Sequence, residues 1–211
     1  MDATGGGTAM FAAALAMWTL MMVVMMLPSA TAALLLYDRA QSRQPGTRVP
    51  SQTVVFAAGY LVAWIGVSVP VAALQVGLRH TLLVTPALLP ARPWLSGCLL
   101  LLAGAWQLTR WKAACLTHCQ SPLAFLLGHW RARASGALVM GVHHGLYCVG
   151  CCWALMLLLF AFGVMDVRWI AALALYVLLE KHVSRGPAVA RATGVLLLLA
   201  GGMQLFASAR P

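Results

Sequence analysis

The chain has 211 residues, 62% of them hydrophobic and only 9% charged, with a mean hydropathy of +0.87. That composition excludes a water-soluble globule of ordinary surface and points to a single integral membrane domain, residues 1–211, with the lipid bilayer as its solvent. The formal net charge of +10 comes from Lys and Arg dispersed over loops. No basic patch interleaved with aromatics is present in the sequence, which argues against a nucleic-acid partner.

A spanning helix needs about 20 apolar residues. Six segments answer that description: 10–36, 52–78, 93–110, 134–162, 166–181 and 190–208. The expected fold is an all-α polytopic membrane helix bundle of about six transmembrane helices. The fifth segment has the shortest uncharged centre, because Arg168 and Glu180 must snorkel at its two ends. Ten of the 14 Lys and Arg residues fall in the first, third and fifth loops; Arg79, Arg92, Arg168 and Arg210 fall on the other side. The positive-inside rule then places both termini on the outer side, in a bacterial inner membrane.

In chain order, Met1 to Thr8 lacks the basic n-region of a secretory signal. Ala30-Thr31-Ala32 resembles a cleavage site, but the apolar run before Tyr37 exceeds a signal core, so a retained first helix is expected. Within it, Met17, Met21 and Met25 recur at i, i+4, i+8, with Met22 and Met26 beside them. Thioether sulfur is a soft ligand that suits Cu(I); the competing role is flexible core filling. Pro28 is expected to kink this helix and free a backbone carbonyl near Val24. Asp38 to Pro50, with Pro45-Gly46, reads as a turn. Gly59, Trp64, Gly66 and Pro70 suggest close packing and a bend in the second helix. Residues 81–90, interrupted by Pro86 and Pro90, are too short to span and are expected to lie in the interface or fold back.

The third segment runs into Cys115, His118 and Cys119. If its helix continues to Gln120, the two cysteines lie one turn apart as a soft-metal pair, opposed by the reading of two small buried thiols at a helix end. The spacing is not that of a structural zinc site.

The fourth segment carries the densest chemistry. His144, Cys148 and Cys152 form an i, i+4, i+8 stripe, with His143 and Cys151 on its flank. Metal-binding groups in a spanning helix normally face the bundle interior, so this stripe is the leading functional site. Gly141 and Gly145 form a Gly-xxx-Gly face for a neighbouring helix. Counting 1.5 Å per residue from each membrane face puts His144 and Met21 at the same depth, about 15 Å in. Glu180 is expected to pair with Lys181 near the interface, and the sixth helix to pack through Gly194, Gly201 and Gly202.

The strings Met17-Trp18 through Ser29, Gln107-Leu108-Thr109 through Leu123, and Cys148-Val149-Gly150-Cys151-Cys152-Trp153-Ala154-Leu155-Met156 with Gly163-Val164-Met165 and Glu180-Lys181 resemble an uncharacterised bacterial family of predicted metal-binding integral membrane proteins. The resemblance covers most of the chain; Asp166 stands where that family usually has Asn. It implies a membrane fold and metal binding, and carries no catalytic residue across.

The leading functional expectation is a soft-metal protein that transports or presents copper, as Cu(I), using His143, His144, Cys148, Cys151, Cys152, Met17, Met21, Met22, Met25, Cys115, His118 and Cys119. Its partners would be the ion and a metallochaperone or membrane-complex protein. Two alternatives remain open at this level: a membrane thiol-redox or haem-binding protein, and a non-catalytic subunit or assembly factor. No nucleotide-binding loop is present, which argues against direct ATP coupling within the chain.

Overall fold

A computed structural model describes residues 3–42, 49–81, 83, 85, 93–131, 133–183 and 185–209. The expectations for the Pro45-Gly46 turn and for Pro86 to Pro90 lie outside these residues. The described chain is all-α: α1 Ala3–Ser42, α2 Val49–His80, α3 Pro93–Gln107, α4 Arg110–Gln120, α5 Pro122–His129, α6 Ala134–Leu157, α7 Leu159–Phe162, α8 Val167–His182 and α9 Gly186–Ser208.

Among the described residues four helices, not six, are long and apolar enough to cross a membrane: Gly7–Ser42, Gln52–His80, Ala134–Phe162 and Gly186–Ser208. The third expected span falls short because capping ends it early, and the fifth, read as 166–181, is a helix of the same 16-residue length. Thr109 stops α3 by restarting the chain as α4: its hydroxyl accepts from the Lys112 backbone N–H at 3.2 Å. Helix α8 starts at Asp166, whose carboxylate caps the Arg168 N–H at 3.0 Å, and ends at His182. At 1.5 Å per residue these 15- and 16-residue helices are roughly 22–24 Å long, less than the apolar core of a bilayer, about 30 Å. Both pack alongside the long helices.

Glycines set the closest contacts. A Cβ on Gly141 would overlap the Phe56 carbonyl, one on Gly59 would overlap the Leu138 carbonyl, and one on Gly145 would sit 2.6 Å from the Ala63 Cβ. The contacts ascend together along both helices, so α2 and α6 run parallel, backbone against backbone, through the Gly-xxx-Gly face read from the sequence. Between them the chain reverses along α3, which lies antiparallel to α9: Gly97 meets Gly201 and Leu205, and Gly104 meets Gly194 and Leu198. Helix α1 runs antiparallel to α2, tied by Trp18 Nε1 donating to Gln75 Oε1 at 2.6 Å and Thr53 Oγ1 donating to Asp38 Oδ1 at 2.9 Å.

The core these helices enclose is built from Trp18, Met22, Met25 and Met26 of α1, Tyr60 and Trp64 of α2, and Cys148, Cys151 and Cys152 of α6, all buried. Sulfur is thus the chemical character of the centre.

Candidate functional site

The thiol stripe of α6 faces inward. Cys148, Cys151 and Cys152 are each at most 1% exposed, because the Gly face one to three turns earlier draws α6 tightly onto α2. Cys151 and Cys152 both donate their S–H to the Cys148 carbonyl, at 3.1 and 2.9 Å. Each of the three sulfurs then has a different neighbour.

Cys148 Sγ lies 3.1 Å from the Tyr60 hydroxyl and accepts from Lys181 Nζ at 2.8 Å. The same ammonium donates to Ser29 Oγ at 3.0 Å, and the Tyr60 hydroxyl donates to the Met26 carbonyl at 2.9 Å. Cys151 Sγ is 4.0 Å from Cys119 Sγ, and Cys152 Sγ is 3.9 Å from the Met26 thioether. Four elements besides α6 therefore converge on one helical turn: α1, α2, α4 and α8.

The anchor of α8 is a buried ion pair. Lys112 Nζ donates to Glu180 Oε2 at 2.9 Å with both side chains at most 1% exposed. Tyr176 donates to the other carboxylate oxygen at 3.1 Å and itself accepts from Gln107 Nε2 at 2.9 Å. Buried charges persist when paired and hydrogen-bonded, and this carboxylate is both. The expected Glu180–Lys181 pairing is thereby corrected. One residue apart on a helix, the two side chains diverge by about 100°. Glu180 reaches α4 while Lys181 reaches the thiols.

The remaining sequence candidates are spread over several places. Cys115 sits one turn before Cys119 as expected, with its sulfur against Gly150, where an added Cβ would come within 2.6 Å. Trp106 Nε1 donates to the Gly150 carbonyl at 3.1 Å and holds that turn. His144 is buried among the rings of Phe56, Tyr60 and Phe125, and its Nδ1 has no hydrogen-bond partner among the described residues. It lines a cavity of about 170 Å³ shared with Ser29, Cys119, Gln120, Lys181 and His182. His118 stacks on Tyr147 at 4.3 Å, and His143 is exposed beside His129.

The methionine stripe divides. Met22 and Met25 are buried in the core, whereas Met17 and Met21 line an apolar groove with Val164, Met165 and Ile170. Met26 is the thioether that meets a thiol. His144 lies level with Ala32 and Ala33 across the cavity, not with Met21, because α1 extends past both ends of the span expected from hydropathy. Sequence reasoning passed over Met26, Tyr60, Ser29 and Lys181 as site residues. Two of them carried a usable signal, Met26 as a thioether beside the methionine stripe and Lys181 as an ionisable residue in an otherwise apolar stretch.

No group of three or more His, Cys, Asp or Glu side chains among the described residues is arranged to hold a metal ion. What the site offers is pairs of soft donors, thiol with thiol and thiol with thioether. Such ligands favour Cu(I) among the biological metals.

The family model of PpoB2, described as a copper chaperone, matches residues 15–204, and the chain belongs to that family. No curated protein and no solved structure matches the chain.

Proposed function

We propose that this member of a copper chaperone family is a membrane-embedded carrier that accepts Cu(I) on the sulfur cluster at the α1–α4–α6 junction and presents it to a partner. The observation that carries this reading is the approach of Cys119 and Cys151, from separate helices, to 4.0 Å. With metal–sulfur bonds of about 2.3 Å, that separation corresponds to an angle of roughly 120° at an ion between them. A third sulfur would complete a trigonal site. Cys152, backed by the Met26 thioether at 3.9 Å, and Cys148 lie within one turn and supply candidates for it.

The housing suits a cargo that must be released. Buried in an apolar bundle, the ion is kept from water and from oxidants, while the cavity lined by Cys119, His144 and Lys181 supplies a polar route from the thiols toward the α4–α5 connection. The concentration of Lys and Arg at residues 39–48, 110–133 and 181–191 favours a cytoplasmic position for that connection, with both termini outside.

A thiol-redox role has weaker support: the Cys119 and Cys151 sulfurs are 4.0 Å apart, about twice a disulfide bond of roughly 2.05 Å, so closing that bond would require the side chains to leave the positions they hold here.

The test is copper stoichiometry in detergent-purified protein kept reduced. Wild type is expected to hold at least one Cu(I) per chain against a chelator, and Cys151→Ser and Cys148→Ser to lose it. Unchanged binding in both variants sinks the assignment.

A further inference from the structure

Three histidines outside the sulfur cluster share one feature. His118, His129 and His182 each place Nδ1 against the carbonyl four residues earlier, Ala114 at 2.8 Å, Phe125 at 3.1 Å and Leu178 at 2.9 Å. A carbonyl oxygen only accepts, so in each ring Nδ1 carries the hydrogen and, in the neutral imidazole, Nε2 keeps its lone pair. That is the arrangement found where histidine binds metal, since the second-shell bond fixes both tautomer and ring direction.

One of these rings has an imidazole neighbour. His129, the last residue of α5, and His143 of α6 have ring centroids 6.0 Å apart at 81°. Given metal–nitrogen bonds of about 2.0–2.1 Å, two imidazoles sharing one ion place their centroids roughly 5–6.4 Å apart. His129 is further held by stacking on Phe125 at 4.9 Å. It also lines an open cleft of about 270 Å³ with Thr117, His118 and Ser121, which leaves room for water to complete a coordination shell. His143 itself is an anomaly without such a role: an exposed imidazole in a helix apolar enough to cross a membrane.

We propose that His129 and His143 form a second metal site, an imidazole pair beside the α4–α5 cleft that His129 lines, which takes a borderline first-row divalent ion. Imidazole with water suits Zn, Ni and Cu(II), and Cu(II) is bound tightest in that series. The site is separate from the sulfur cluster. His143 lies about 140° round α6 from Cys148. Its ligands are nitrogen where the cluster's are sulfur, so it does not depend on the Cu(I) reading.

Purified protein in detergent is first saturated with Ag(I), which occupies the thiols without redox chemistry, then desalted and titrated with Cu(II) under electron paramagnetic resonance. One Cu(II) per chain with hyperfine splitting from two nitrogens is expected. His129→Gln and His143→Gln are each expected to weaken Cu(II) binding about tenfold or more and to abolish that two-nitrogen pattern, with Ag(I) stoichiometry unchanged. Cu(II) bound without nitrogen splitting, equal affinity in both variants, or no Cu(II) bound at a tenfold molar excess would overturn the proposal. Ag(I) uptake reads the thiols and the Cu(II) signal reads the imidazoles, so either site fails on its own evidence.

Discussion

Lys181 donates from a buried ammonium to the sulfur of Cys148 at 2.8 Å. Two thiolates on Cu(I) leave a net negative centre, and a positive charge about 4 Å away is worth on the order of 4 kcal/mol at an effective dielectric constant of 20. Lys181→Met is therefore expected to weaken Cu(I) binding at least about tenfold, with Lys181→Arg retaining part of the affinity. Competition with a Cu(I) chelator measures both. Equal affinities for wild type and Lys181→Met would show that the ammonium only packs.

Lys112 and Glu180 make a different kind of pair, bonded to each other rather than to a sulfur, and fully enclosed. Removing one partner strands the other charge, at a cost of about 3–5 kcal/mol, whereas replacing both with apolar side chains of similar volume is often neutral. Lys112→Met alone should markedly lower the unfolding temperature in detergent, and adding Glu180→Met should recover most of the loss. If the double variant is no better than the single one, the bond network through Tyr176 and Gln107 carries the stability instead.

How much of this was legible in the sequence depended on the range of the interaction. The α6 stripe could be read because i, i+4 spacing fixes which thiols share a face, and Gly141 and Gly145 announced the close neighbour. The Cys119–Cys151 and Met26–Cys152 contacts could not, since each joins residues on different helices whose register only packing decides. Hydropathy overstated the crossings for a related reason. An apolar window does not see Thr109, a single capping residue, end α3 at Gln107. Depth counting placed Met21 where the bundle places Ala32 and Ala33, because α1 is 40 residues long and hydropathy alone does not fix where such a helix sits.

Gly141 and Gly66 should respond to alanine with opposite signs. Gly66 has nothing within 4 Å of an added Cβ, so Gly66→Ala gains helix propensity, up to about 1 kcal/mol. At Gly141 the new methyl meets the Phe56 backbone, which cannot rotate away; overpacking of that kind costs about 1–3 kcal/mol and more than cancels the propensity gain. Gly141→Ala should also loosen copper retention, because parting α2 from α6 moves Tyr60 off Cys148. Thermal unfolding of the two variants side by side, with copper content, tests both halves. A stabilised Gly141→Ala would mean that the two backbones do not touch as described.

The exposed turn before α8 supplies a pH dependence whose sign can be worked out. Asp166 accepts from the backbone and side chain of Arg168, at 3.0 Å from N, 3.1 Å from Nε and 2.9 Å from Nη2. Those charge-assisted bonds favour the ionised carboxylate and hold its pKa below the ordinary 3.8. A carboxyl depressed in the folded state stabilises it in full only above its unfolded value, and the contribution disappears as pH falls through the depressed one. The N-terminal turn of α8 should thus keep its protection against hydrogen exchange at neutral pH and lose it in acid. Asp166→Asn keeps an oxygen able to cap the Arg168 N–H but surrenders the ion pair, so its protection should be slightly lower at neutral pH and flat across the acid range. An acid-sensitive turn in Asp166→Asn would assign the titration to another group.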